Sequence, residues 1–347
     1  MCLFLYVVNR FVERATGFDY QENIVITVGL NIALAVSLNI VNGMTGQFSL
    51  GHIGFYAIGA YIAAAMVTYG HDEFFAYLPL ARTSPPISVL ISAGAMIPTC
   101  IVSGLIAAGV GVLVGLPSLR LRGDYLAIIT LGFAAIVQVI IRNIPAVNGA
   151  TSFVGINDPH NTAQVIATPH LTSVFWVYLL AVITIWVSVA IRKSNHGLAL
   201  LAIREDEVAA EAMGINTTRY KVFAFALSAF FTGIAGAMYA LYEPSLSNSS
   251  FDYIRSIDTV VMIVLGGLGS ISGAALSAVL LTLFPEMLRS VDQYRLAVYA
   301  LLLILLMITR PQGIFGQNEL SVAGVKQTWF SATNLFNKVF RRVNPKS

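Results

Sequence analysis

Residues 24–41 read IVITVGLNIALAVSLNIV, and residues 42–59, directly after them, read NGMTGQFSLGHIGFYAIG. The first stretch carries no charged side chain. A helix needs about 20 apolar residues to cross the roughly 30 Å hydrocarbon core, because every backbone amide and carbonyl must find its partner inside the segment. The second stretch sets Gly43, Gly46, Gly51, Gly54 and Gly59 among Thr45, Gln47, Ser49 and His52, and then returns to apolar sequence. An uncharged run, a polar glycine-rich interruption and another apolar run describe an all-α polytopic membrane protein in which some helices are broken.

The rest of the chain follows the same pattern. Of its 347 residues 57% are hydrophobic and 11% charged, where a soluble domain carries roughly 25% charge, and the mean hydropathy is +0.77. So few charges do not cover a water-facing surface. Further spans are expected near Ile53–Tyr69, Ile87–Gly115, Tyr125–Ile141, Leu171–Ile191, Tyr220–Tyr242, Gly273–Leu288 and Leu296–Thr309. Ile257–Leu265 is too short alone and is expected to extend backward through Phe251 or to form a tilted or broken helix. With an N-terminal span the count comes to about 9–10 helices, all in one transmembrane domain, 1–316, followed by a basic tail, 317–347.

Basic residues report orientation, since positively charged loops remain in the cytoplasm. Thirteen of the twenty lie in 117–124, in 192–221 and after Thr309, and those segments are assigned to the inner side. Ile24 then starts outside. An earlier span must precede it, and within this chain only the short Met1–Val12 is available, so either that helix is stunted and runs past Arg10 or the start lies upstream of Met1. Basic residues form no stripe, which argues against a nucleic-acid partner. Cys2 and Cys100 are far apart in apolar sequence and read as buried thiols.

Three segments carry functional signals. At 42–59, Thr45, Gly46, Gln47, Ser49 and His52 place polar groups where burial is costly unless they are paired or face a water-filled path. The segment reads either as an irregular element beside a translocation pathway or as a cytoplasmic turn with small-residue helix packing. At 264–275, VLGGLGSISGAA breaks another apolar run at Gly266, Gly267, Gly269 and Gly273. Paired interruptions of this kind mark transporters whose broken helices surround a shared pathway, although ordinary small-residue packing produces the same pattern. At 198–216, LALLAIREDEVAAEAMGIN lies in the most basic internal loop. Glu205, Asp206 and Glu207 suit the start of a short helix and Gly214 its end. Val208 with Ala212 and Ala209 with Met213 form a small apolar face, and Glu207 with Glu211 make an adjacent acidic ridge; Ala210 belongs to the same candidate coupling element. Such a helix suits a groove on a partner protein, and a solvated loop helix with no partner has the same pattern.

These residues support a family resemblance. Ala209-Ala210, three residues, then Gly214 is similar to the EAA loop through which ABC-importer permeases engage their ATPase subunits, except that Val208 separates Glu207 from the two alanines. From about Asn31 to Gly316 the chain resembles the LivM-type permeases of branched-chain amino acid importers. The blocks that carry it are GMTGQFSLGHIGFYAIGAY at 43–61, LRLRGDYLAIITLGF at 119–133, GLALLAIREDEVAAEAMGIN at 197–216, VLGGLGSISGA at 264–274 and RPQGIFG at 310–316. The resemblance implies a type II ABC importer-like permease in a bacterial inner membrane. It also implies a second permease of the LivH type, two cytoplasmic ABC ATPase subunits and an extracytoplasmic amino-acid-binding protein. The loop VNGATSFVGIND at 147–158 departs from the family's Gly-rich turn, and the tail lies outside the resemblance. That tail reads as an amphipathic surface helix or a disordered end.

No Walker A sequence is present, so ATP hydrolysis is expected in separate subunits, and no cofactor is called for. An ion-coupled transporter would need an ionisable group at mid-membrane, whereas Asp124, Asp258 and Glu286 fall near span ends. A membrane enzyme would need clustered ligands or catalytic groups, and the five histidines are scattered. Urea or short-amide permeases share much of this pattern and remain the alternative substrate class. A cysteine placed at Glu211 is expected to react with a membrane-impermeant thiol reagent from the inner face only; labelling from outside would remove the importer reading.

Overall fold

A computed structural model describes residues 19–69, 85–118, 124–144, 153–154, 172–243 and 245–288, together with Leu301 and Gly313. The expected spans at Met1–Val12 and Leu296–Thr309, the tail and most of the 147–158 loop lie outside these residues. The described chain is helical: α1 (Asp19–Asn39), α2 (His52–Tyr69), α3 (Pro85–Ser118), α4 (Asp124–Asn143), α5 (Val174–Lys193), α6 (Asn195–Glu205), α7 (Glu207–Ala212), α8 (Thr217–Tyr242), α9 (Tyr253–Gly266) and α10 (Ile271–Met287). One short antiparallel pairing, Phe153–Val154 with Ser245–Leu246, joins two connecting segments.

Among the described residues, five stretches are long and apolar enough to cross a membrane: Glu22–Met44, Met96–Leu116, Tyr125–Asn143, Val174–Lys193 and Thr217–Tyr242. His52–Val67 and Ile271–Met287 are apolar but shorter. The apolar surface points outward. Leu113 on α3, Tyr125 and Ile128 on α4 and Trp186 on α5 are each more than 60% exposed. The polar groups point inward: Ser37, Asn39, His52, Thr184, Ser228, Thr232 and Ser277 are buried. A water-soluble domain has the reverse arrangement, and a hydrocarbon solvent accounts for this one. This is an all-α, multi-pass membrane protein.

Boundaries move from the hydropathy edges to the caps. Asn216 accepts from the Arg219 amide and starts α8 at Thr217, three residues before the apolar run. Ser270 accepts from the Gly273 amide and starts α10 at Ile271. Asp252 starts α9 at Tyr253, so the short apolar run does extend backward, while Phe251 belongs to a separate 3-10 turn. Thr172 is not part of α5, which begins at Val174 after Ser173, and Leu171 lies outside the described residues.

Helices α1 and α8 form the centre and the others surround them. Small residues set the closest crossing, that of α2 with α8: a β-carbon on Gly59 would collide with the Gly233 carbonyl, and one on Gly236 with that of Tyr56. Backbones approach this closely only where side chains are absent. Beside the crossing, Tyr56, Tyr61 and Tyr239 pack around Phe251, and the Arg255 guanidinium lies 5.4 Å from the Tyr56 ring centre and 5.2 Å from that of Tyr239. These contacts fix the start of α9. Helix α4 is packed more loosely, leaving an apolar groove of about 440 Å³ lined by Tyr61, Phe133, Ile136 and Ile140 among others.

Gly236→Leu overfills the α2–α8 crossing, a change that costs roughly 1–3 kcal/mol. Gly109→Leu is the control, since a β-carbon there meets nothing within 4 Å. In detergent, Gly236→Leu should lose its monodisperse chromatographic peak at a lower temperature than Gly109→Leu; equal melting would contradict the tight crossing.

Candidate functional site

Helix α1 does not end at Asn39 but widens into one π-helical turn, Ile40–Met44. The Thr45 amide still donates to the Val41 carbonyl; the chain then runs without helical bonding from Gly46 to Leu50, and the Gly51 carbonyl accepts from the Gly54 amide as α2 begins at His52. Its polar groups are buried and mostly paired. Thr45 Oγ1 donates to the Val41 carbonyl at 2.7 Å. Asn42 holds Ser49 from both sides, its Oδ1 accepting from the Ser49 amide and its Nδ2 donating to the Ser49 carbonyl. Gln47 is buried and its Oε1 has no hydrogen-bond partner. The Leu50 amide donates to Thr130 Oγ1 of α4, and the Leu50 carbonyl accepts from Ser256 Oγ of α9.

His52 is enclosed by hydroxyls. Its Nε2 lies 2.9 Å from Ser37 Oγ and 2.6 Å from Thr232 Oγ1. The two hydroxyls already donate to the Leu34 and Ser228 carbonyls, so Nε2–H fits as the donor they share. Ser228 Oγ donates to the Ser37 carbonyl and completes a polar seam joining α1, α2 and α8.

The second interruption forms a matching break. Helix α9 ends at Gly266, and Gly267 and Gly269 take φ values of 106° and 90°, a region that side-chain-bearing residues rarely adopt. Gly266 packs so closely on Gly273 that a β-carbon on either would strike the other's carbonyl. The two breaks also touch each other: the Gly269 amide donates to Asn39 Oδ1 at 3.0 Å, and a β-carbon on Gly43 would lie 2.6 Å from the Gly269 nitrogen. Gly313 sits against Gly267 as well. Thus Gly46, Ser49, Gly266, Gly267 and Gly269 belong to one region; His52 joins it through Ser37, two residues from Asn39.

The 198–216 loop folds as two helices. Asp206 separates them and caps α7, with its Oδ1 accepting from the Val208 and Ala209 amides at 2.9 and 3.1 Å. Gly214, at φ 83°, ends the element, and the Ile215 amide reaches back to the Ala210 carbonyl. Val208, Ala209, Ala212 and Met213 face outward, Met213 being 83% exposed, while Ala210 is buried and Glu205 exposed. The two glutamates do not form a free acidic ridge. Glu207 pairs with Lys221 Nζ at 2.5 Å, and Glu211 Oε1 accepts from Thr217 Oγ1 at 2.7 Å. Both contacts tie α7 to the first turns of α8.

Two arginines connect this loop to the breaks. Arg204 Nη1 donates to the Gly43 carbonyl and Arg192 Nη1 to the Gly269 carbonyl, each at 2.8 Å. Neither they nor Ser37, Asn39, Thr232 and Lys221 stand out in the sequence. Ser37 and Asn39 do interrupt an apolar helix two residues apart, which is the one signal pointing to them.

The comparisons agree with this architecture. Residues 20–309 match the family model described as branched-chain amino acid transport system / permease component. The high-affinity branched-chain amino acid transport system permease protein LivM of Salmonella typhimurium is 34% identical over 306 residues, covering 82% of this chain and 67% of the relative. The permease protein BraD of Pseudomonas aeruginosa is 27% identical over 87% of this chain and 97% of its own length. LivH of Escherichia coli is 25% identical over 85% and 94%. No solved structure matches the chain. The five blocks that support the resemblance also converge in space, since residues 43–51 meet Thr130, Arg204 and Gly269, and Gly313 packs on Gly267. The chain belongs to the family of permease components of branched-chain amino acid transport systems.

Proposed function

We propose that this chain is one of the two membrane-spanning subunits of an ATP-driven importer of branched-chain amino acids in a bacterial inner membrane. In this reading it pairs with a related permease, receives its substrate from an extracytoplasmic binding protein and is moved by two cytoplasmic ATPase subunits. The observation that carries the proposal is helix α7, a short helix with an exposed apolar face that is anchored to a long central span. The face comprises Val208, Ala209, Ala212 and Met213, and exposure of this kind on a basic cytoplasmic loop suits a partner's groove.

The anchoring matters as much as the face. An ATPase that moved a floppy loop would do no work on the membrane domain. Here the cap at Asp206 and the contacts of Glu207 and Glu211 fasten α7 to Lys221 and Thr217, at the start of α8. Pushing α7 therefore tilts α8, and α8 carries Ser228 and Thr232 of the polar seam and Gly233 and Gly236 of the close crossing. The translocation pathway is assigned to the side of the two glycine breaks, with Thr45, Gly46, Gln47, Ser49, His52, Gly266, Gly267 and Gly269 forming its movable wall. Substrate selection is left to the binding protein.

Met213→Asp places a charge on the docking face without touching a packed group. ATPase co-purification and ATP-driven leucine uptake should each fall at least tenfold while the subunit melts as wild type does; full uptake would discard α7 as the docking element. Titrating the cognate binding protein with leucine, isoleucine, valine and urea tests the substrate class: tight urea binding with no response to leucine would replace amino acids by amides.

A further inference from the structure

The polar link between the cytoplasmic helices and the membrane interior runs through two backbone carbonyls, and both belong to glycines in helix breaks. Arg204 stands at the end of α6, two residues before the Asp206 cap, and reaches the Gly43 carbonyl in the π-helical turn after α1. Arg192 stands at the end of α5 and reaches the Gly269 carbonyl between α9 and α10. A guanidinium presents several directed donors and keeps its charge, and a carbonyl released from a regular helix is a free acceptor for it. The two points of attachment are joined to each other, because Asn39 Oδ1 accepts from the Gly269 amide.

We propose that Arg192 and Arg204 are positioning residues that carry the displacement of α7 onto both breaks at once. The proposal rests on the importer reading and adds the route that the movement takes. Three further features fit the role. The corner between α5 and α6 is rigid: Ser194 caps the Gly197 amide, and a β-carbon on Gly197 would collide with the Ile191 carbonyl. Arg192 and Arg204 therefore move as parts of one body. Space is left for the arms, since Gly46 at φ 70° lies against the Arg204 side chain, and a β-carbon on Gly269 would come 2.6 Å from Arg204 Nη1. The receiving end also has a spare donor, because Asn39 Nδ2 is buried without a hydrogen-bond partner.

The alternative is that the arginines only stabilise the fold. The two roles separate in the ratio of amino acid imported to ATP hydrolysed. Arg204→Met and Arg192→Met keep the apolar stem and remove the donors, and each is read in proteoliposomes containing this chain, the second permease, the ATPase and the binding protein. The expected result is normal co-purification of the ATPase, hydrolysis within twofold of wild type and import per ATP reduced at least fivefold, with Arg204→Lys recovering part of it. Import per ATP equal to wild type in both methionine variants overturns the proposal. If the methionine variants fail to assemble, the lysine variants decide: import per ATP lowered at least twofold with hydrolysis retained supports the route, and an unchanged ratio overturns it. Loss of ATPase binding by the wild-type chain would instead sink the importer reading, so the two failures are distinguishable.

Discussion

A helix that breaks inside a packed interior releases amides and carbonyls that water cannot reach, and this constraint organises the interior of the molecule. Each unmade backbone bond there costs several kcal/mol. Among the described residues the buried helices break after Met44 and after Gly266, and these two breaks are brought together. Asn39 takes the Gly269 amide, Arg204 the Gly43 carbonyl, Arg192 the Gly269 carbonyl, and Thr130 the Leu50 amide. Four segments distant in sequence are thereby committed to one place. Glycine is required there for backbone approach as much as for torsion: Gly43 and Gly269 meet too closely to admit a β-carbon.

Much of the helix layout is visible in the sequence, because in a lipid solvent a long uncharged run has few alternatives to a spanning helix. The runs at 24–41, 87–115, 125–141 and 220–242 each fall within a single helix or its π-helical extension. Ends are less visible. They depend on whether a polar side chain such as Asn216, Asp252 or Ser270 folds back on an amide, which hydropathy does not register. The glycine clusters announced the two breaks, but their mutual contact joins residues 230 positions apart and has no local signature.

The loop 198–216 shows how a correct local reading can assign a side chain the wrong neighbour. Helical spacing places Glu207 and Glu211 on adjacent positions and Val208, Ala212 and Met213 on another face, and the structure keeps that geometry. Whether the acidic positions look outward depends on how α7 sits against α8. It lies so that Lys221 and Thr217 take both carboxylates; Glu207 is thereby half-buried, while Glu211 stays exposed beside the apolar residues. Arg204 was hidden for a related reason. In a basic loop a positive charge is already accounted for as an orientation signal, and its acceptor lies 161 residues away.

The division between stiff and yielding parts follows from the same contacts. Helix α8 is held to α2 by backbone contact at Gly59, Gly233 and Gly236 and to α1 by the Ser37–His52–Thr232 seam, so α8 cannot slide without moving both neighbours. The segment from Gly46 to Leu50 has no helical bonds to break when it shifts; its attachments are a few side-chain hydrogen bonds, each worth about 1 kcal/mol net. A displacement entering through α7 therefore meets a rigid beam joined to a compliant strip. The strip is the part that gives; Arg204 holds the π-helical turn that leads into it, at Gly43, and Arg192 holds the facing break, at Gly269.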